Sequence, residues 1–251
     1  MNGLINETAV KVEGLTVAYD NNPALWDVSV DFPKGKLIAV MGPNGSGKTT
    51  LIKTMLGLVK PVTGRVIFAK TKYKNILRSG EIGYIPQSES VDWDYPSTAL
   101  DVVLMGAYGR LGWIRRPSKN DVSAALDALD KVGISELSSR QISQLSGGQQ
   151  QRVFLARALM QDSSIYFLDE PFKGVDAQTE KVIVKLLKAL RDGGRTIIAA
   201  HHDLATVKEY FDRVVIINKR IIADGEVPEV FTEENLGKAY RGAGATEGRK
   251  N

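Results

Sequence analysis

The chain has 251 residues, with 33 Lys plus Arg against 29 Asp plus Glu for a net charge of +4, and 43% hydrophobic against 25% charged residues. That length fills one large domain or two small ones, and the composition is that of a folded globular chain, which excludes wholesale disorder. The absence of cysteine excludes a disulfide framework, a zinc ribbon, an iron–sulfur cluster and a thiol nucleophile, and the small positive excess comes without a basic stripe interleaved with aromatics, so no nucleic-acid partner is expected.

The opening segment MNGLINETAV lacks a basic stretch followed by a long apolar one, so no secretory signal is expected. From about residue 8 to 35, the runs Ala9–Val12, Leu15–Tyr19 and Val28–Phe32 are short and alternating, separated by Gly and Asn-Asn-Pro. They predict an antiparallel β region. Leu37–Met41 is a continuous apolar run, the pattern of a buried strand. It leads into Gly42, Pro43, Asn44, Gly45, Ser46, Gly47, Lys48 and Thr49, which satisfy G-x-x-x-x-G-K-[ST], and then into a helical pattern from Thr50 to Leu58. Each residue type has a task there. Glycines let backbone N–H groups turn inward around an anion, the helix start presents positive dipole, Lys48 reaches terminal phosphates and Thr49 offers a hydroxyl to Mg²⁺. The alternative is a Gly-rich turn in an ordinary α/β unit.

Residues from about 90 to 162 read as mostly helical, as in Val122, Ala125, Leu126, Leu129 and Val132 before Gly133. No apolar run reaches the roughly 18 residues of a spanning helix; Leu37–Gly42 and Val102–Gly109 are among the longest. At Leu145, Ser146, Gly147, Gly148 and Gln149, Ser146 and Gln149 stand in capping-box register at a helix start, and a capped start with two glycines also offers backbone donors to an anion. Ile165–Leu168 is an apolar strand ending in Asp169 and Glu170; an Asp there can hold Mg²⁺, and a neighbouring carboxylate can orient or deprotonate a water. Asp176 is the expected N-cap of a helix whose apolar face is Val182, Ile183, Leu186, Leu187 and Leu190, stopped by Gly193-Gly194. Strands at Thr196–Ala200 and Val214–Ile217 complete a strand–helix alternation that predicts a parallel sheet with its ligand site beyond the strands' carboxyl ends. His201 and His202 are the only histidines. Neighbours on an extended chain point to opposite sides, and two imidazoles without cysteine make a poor metal site.

Taken together, GPNGSGKTT, LSGGQ and FLDEP resemble the nucleotide-binding subunit of ATP-binding-cassette (ABC) transporters across essentially the whole chain. The resemblance implies an α/β P-loop NTPase core with a mostly parallel sheet, an N-terminal antiparallel β region and a helical signature insertion. It implies one ATPase domain over 1–241, its core at about 8–89 and 163–230 and its helical part at about 90–162, with 242–251 a flexible tail. It further implies that ATP and Mg²⁺ are bound, that ATP + H₂O becomes ADP + phosphate, and that Thr49, Gln87 and Asp169 surround the Mg²⁺. Glu170, His202 and Gln87 would be catalytic, with Tyr19 stacked on adenine and Gly42 to Thr50 around the phosphates. Leu145 to Gln149 would contact ATP held by a second copy in a head-to-tail pair, and Gly174 and Asp176 would lie in a loop against that copy. Lys173 receives no role, and His201 is read only as the neighbour of His202.

Val91-Asp92-Trp93-Asp94-Tyr95-Pro96 and Gly109-Arg110-Leu111-Gly112-Trp113 resemble the metal-ion import branch, with manganese expected first and zinc or iron next. A multi-span permease would then dock near residues 88–117, with an extracytoplasmic metal-binding protein engaged indirectly and this chain on the cytoplasmic face of the membrane. A soluble cassette ATPase of the iron–sulfur assembly type and a nucleotide switch without turnover are the alternatives.

Overall fold

The computed structural model of the chain describes residues 7–20, 22–68, 80–87, 96–111 and 115–240. In chain order the elements are β1 (Thr8–Tyr19), β2 (Asn22–Pro33), β3 (Leu37–Met41), α1 (Lys48–Met55), β4 (Thr63–Phe68), β5 (Ile82–Ile85), α2 (Ala99–Leu104), α3 (Tyr108–Leu111), α4 (Lys119–Lys131), α5 (Gly147–Gln161), β6 (Ile165–Asp169), α6 (Ala177–Asp192), β7 (Thr196–His201), α7 (Val207–Tyr210), β8 (Arg213–Asn218), β9 (Arg220–Glu226), α8 (Val227–Val230) and α9 (Glu233–Tyr240). They fall into two compact units, residues 1–73 with 198–251, and residues 74–197.

In the first unit β1, β2 and β4 form an antiparallel sheet in the order β2-β1-β4. The runs expected as two strands, Ala9–Val12 and Leu15–Tyr19, are one. Gly14, at φ 57°, lies where the register against β2 shifts between Val12 and Leu15. This bulge moves the buried set from even positions (Val10, Val12) to odd ones (Leu15, Val17), so a single strand reads as two interrupted alternations. Likewise Val28–Phe32 is only the second half of β2. Strand β3 is buried throughout and pairs in parallel with β8, Met41 opposite Ile216, while β9 returns antiparallel to β8.

In the second unit β5 and β6 are parallel, from Ile82 opposite Ile165 to Ile85 opposite Leu168. A side chain at Gly83 would meet the Tyr166 ring at 2.6 Å, so glycine is what lets these strands close up. The start of β7 joins β6 through the Thr196 N–H, which donates to the Ser164 carbonyl at 3.0 Å. Helix α4 begins at a Ser118–Asp121 capping box and buries Ala125, Ala128 and Leu129. Leu126, expected on that face, is 38% exposed. Asp121 takes the inward position one turn earlier, and hydrogen bonds from Ser118 and Arg110 hold its carboxyl down at about 2. In α6 the buried residues are Thr179, Ile183, Val184 and Leu187, with Val182, Leu186 and Leu190 half-buried at the margins. Asp176 caps it as expected, and Gly193 ends it.

Candidate nucleotide site

In the first unit the phosphate loop follows β3 and closes on its own backbone. The Lys48 ammonium is buried and donates to the carbonyls of Gly42 and Pro43, at 2.8 and 3.1 Å. The N-cap of α1 is Gly47 at φ 101°, with no side-chain cap, so the positive end of the helix opens directly onto the loop. A Cβ at Gly47 would meet Leu25 Cδ2 at 2.5 Å and the Ala24 carbonyl at 2.8 Å. Asn44 and Gly45 are exposed at the tip, Thr49 and Thr50 half-buried at the helix start. The Ser46 hydroxyl is buried with no hydrogen-bond partner, an orphaned donor and acceptor inside the loop. Tyr19, at the end of β1, is 48% exposed.

The same unit carries the two histidines at the end of β7, and the expected divergence holds. His201 is 2% exposed and His202 is open to solvent. The His201 Nε2 lies 2.8 Å from the Thr206 hydroxyl, and its ring is 5.2 Å from that of Phe211. Burial pushes the His201 imidazole down to about 4, so it is neutral at pH 7. More than a neighbour, it ties the loop that carries His202 back to the fold at Thr206.

In the second unit, strand register explains the meeting of Gln87 and Glu170. Ile85 lies opposite Leu168, so the residues two further along each parallel strand, Gln87 and Glu170, leave the sheet side by side. Gln87 Nε2 donates to Glu170 Oε2 at 3.4 Å, and Lys173 Nζ stands 3.9 Å from the same oxygen. Lys173, given no role above, thus shares the carboxylate. Glu170 is held at φ 54°, a left-handed conformation uncommon for a side chain of this kind. Asp169, the last residue of β6, is 1% exposed. Its charge, after burial, is the second cause that raises the Tyr84 phenol to about 12.

The LSGGQ segment opens α5. Ser146 Oγ accepts from the Gln149 amide at 3.4 Å, and Gln149 Oε1 accepts from the Ser146 amide at 2.9 Å, the full capping box. Leu145 is buried, Ser146 and Gly147 are exposed, and Gly148 is half-buried. Asp176 Oδ1 accepts from the Gln178 and Thr179 amides, and Oδ2 from the Thr179 hydroxyl at 2.7 Å. These bonds, Thr179 first, hold the Asp176 carboxyl below its ordinary range. Arg152 of α5 donates to the same Thr179 hydroxyl at 2.9 Å, a link between α5 and α6 that no motif marked. Gly174, at φ 72°, is exposed. Val91–Tyr95 and Gly112-Trp113, which carried the resemblance to metal importers, lie outside the described residues, as does the expected tail 242–251.

A glycine-lined phosphate loop opening a helix, a strand ending in buried Asp169 and in Glu170, and a glycine-bearing capped helix start define a P-loop ATPase. The profile of the ABC transporter family matches residues 25–173, and the chain belongs to that family. Its activity is the family's, ATP hydrolysis coupled to transport. The chain is 54% identical to the zinc transport system ATP-binding protein TroB of Treponema pallidum (strain Nichols), over 93% of this chain and 87% of that protein. It is 54% identical to the manganese transport system ATP-binding protein MntB of Bacillus subtilis (strain 168), over 93% and 92%. Among solved structures, an inward-facing metal-chelate type ABC transporter superposes with a TM-score of 0.80 at 28% identity, covering 93% of this chain and 88% of that one.

Proposed function

We propose that this chain is the ATP-hydrolysing subunit of an importer for a divalent transition-metal ion, manganese first and zinc or iron next. The observation that carries the reading is the equal match, over more than nine-tenths of the chain, to relatives named for zinc and for manganese transport. Glu170 is the base that takes a proton from the attacking water, Gln87 orients that water, and His202, exposed in its loop, meets the terminal phosphate. Lys48 leaves the Gly42 and Pro43 carbonyls for the phosphates, and Tyr19 stacks on adenine. Mg²⁺ would be held by hard oxygens, those of the Thr49 hydroxyl, the Asp169 carboxylate and the Gln87 amide, the donor type this ion takes. When bound it would neutralise phosphate charge.

The start of α5, Ser146 to Gln149, with Ser146 and Gly147 exposed, faces ATP held by a second copy, with Gly174 and Asp176 lying against that copy. The chain acts as one ATPase domain over 1–241 with its helical part at about 90–162. Among the described residues no helix is long and apolar enough to cross a membrane, and the reading assigns the translocation path to a permease. A groove of about 390 Å³ whose lining includes the small Gly106, Ala107 and Gly109 and the charged Glu81, Arg110 and Asp162 supports docking of a permease helix within the 88–117 region, since the small residues leave room and the charged ones offer polar anchors. An extracytoplasmic binding protein delivers the ion, and the chain sits at the cytoplasmic face.

Glu170→Gln tests the chemistry. ATP binding is retained while phosphate release falls ~10²–10⁴-fold, the worth of a general base; near-normal hydrolysis overturns the assignment. Cargo is tested by uptake of radiolabelled manganese, zinc and iron in cells lacking the chain. Loss of manganese uptake is expected, loss of zinc or iron uptake alone would reassign the cargo, and full retention of all three would refute the importer reading.

A further inference from the structure

Non-glycine residues with positive φ among the described residues are Asp20, Asp27, Asp162, Glu170 and Lys219. Aspartate tolerates this region because its short side chain bonds to local backbone; Lys and Glu have no such compensation. Glu170 already has a chemical role. Lys219, at φ 59° in the turn between β8 and β9, has an exposed side chain and no assigned task.

Its backbone explains the strain. The Lys219 N–H donates to the Ser46 carbonyl of the phosphate loop at 2.8 Å, and its carbonyl accepts from the Trp26 N–H of β2 at 2.7 Å. Two residues earlier, the Ile217 carbonyl lies where a Gly42 side chain would be, 2.0 Å from that Cβ position. The loop is therefore gripped at its first glycine and at Ser46 by one short segment, residues 217–219. That segment is in turn held by the C-terminal helix: Asn218 Nδ2 donates to the Ala239 carbonyl of α9 at 2.8 Å. The Tyr240 hydroxyl, next in sequence to Ala239, is buried, and burial pushes its pKa up, with the Gly42 N–H offsetting part of that push.

We propose that Ile217, Asn218 and Lys219, locked by α9, form a clamp that sets the geometry of the phosphate loop, so that the C-terminal helix controls nucleotide affinity through Asn218 as a positioning residue. The inference rests on the nucleotide-binding reading of the loop, and Lys48→Ala keeps the two apart: wild-type affinity in that variant would fault the loop reading itself.

The experiment uses the full chain, equilibrium binding of a fluorescent ATP analogue with Mg²⁺, steady-state hydrolysis, and the ³¹P resonance of the β-phosphate of bound ADP. Asn218→Ala is expected to weaken binding and raise KM roughly 3- to 10-fold, the worth of one hydrogen bond, with kcat within about twofold, and to shift the β-phosphate resonance. Leu129→Ala, a buried change in α4, is expected to lower Tm at least as much without moving that resonance. Lys219→Gly, which keeps the amide and admits the positive φ, should bind more tightly than Lys219→Pro, which has neither property. Wild-type affinity and an unmoved resonance in Asn218→Ala would overturn the clamp, as would an equal loss of affinity in Leu129→Ala.

Discussion

The phosphate loop and the LSGGQ segment are both glycine-bearing turns that open a helix, yet their glycines serve different needs. At Gly47 the backbone is left-handed and a Cβ would strike Leu25 and the Ala24 carbonyl, so the chain's own packing demands glycine. At Gly147 a Cβ would meet nothing within 4 Å. The start of α1 has no side-chain cap, while the start of α5 is closed by Ser146 and Gln149. The first site is a loop closed on its own backbone, with Lys48 on the Gly42 and Pro43 carbonyls. The second carries its own cap and is open to solvent at Ser146 and Gly147, so no packing within the chain calls for glycine at position 147.

Paired substitutions break this contrast most sharply. Gly47→Ala adds a clash to a left-handed strain and is expected to lower stability by about 2–4 kcal/mol, with loss of nucleotide binding. Gly147→Ala removes no contact and improves helix propensity, so Tm is expected to stay within about 1 °C or rise. Its phosphate loop still binds ATP, but crowding of the open helix start lowers hydrolysis by ~10-fold or more. Thermal denaturation with an ATP-binding assay and a phosphate-release assay on both variants gives the answer. Equal destabilisation by the two substitutions would erase the distinction.

A second contrast of sealed against open lies at the end of β7, between His201 and His202. Burial holds the His201 imidazole at about 4, against about 6.5 in an unfolded chain. Its folded pKa is depressed, so the unfolded state binds more protons between those values. The stabilisation is present above about pH 6.5 and is lost as pH falls toward 4. From this group alone, the chain should be roughly 2 kcal/mol less stable at pH 5 than at pH 7. Urea titrations at the two pH values check this in the parent chain and in His201→Gln, where that part of the pH dependence should vanish. An unchanged slope in the variant would exclude His201 as its source.

How much of this could be read beforehand depends on whether side chains or backbone do the work. The G-x-x-x-x-G-K-T loop, the Asp-Glu strand end, the Asp176 cap and the opposed histidines rest on side-chain type at fixed spacing, and all were legible. Gln87 beside Glu170 followed the register of two parallel strands. The β1 bulge was hidden because one glycine shifts the alternation by a residue, which makes one strand look like two. Leu126 was misplaced because a helical stripe a single residue off centre carries much the same apolar pattern, and the charged Asp121 that fills the inward position reads as surface. Lys219 was invisible for a deeper reason. Its contribution is an N–H and a carbonyl in a left-handed turn, and the letter K advertises only an exposed charge.

A substitution of modest expected cost tests the signature most directly. Ser146→Ala removes the acceptor for the Gln149 amide and is expected to cost about 1 kcal/mol, the usual worth of an N-cap. Ser146→Asp restores a cap and places negative charge at the helix's positive end, so stability should return to within a few tenths of a kcal/mol of the parent. If the cap were the whole role of this serine, hydrolysis would return with it. If the exposed helix start receives a phosphate, the new carboxylate repels that phosphate, and hydrolysis should fall below that of Ser146→Ala even though the fold is sounder. Added salt should narrow the gap, because a Debye length of about 3 Å at 1 M screens exposed charges. Wild-type turnover in Ser146→Asp would reduce LSGGQ to a structural cap and remove the open half of the comparison.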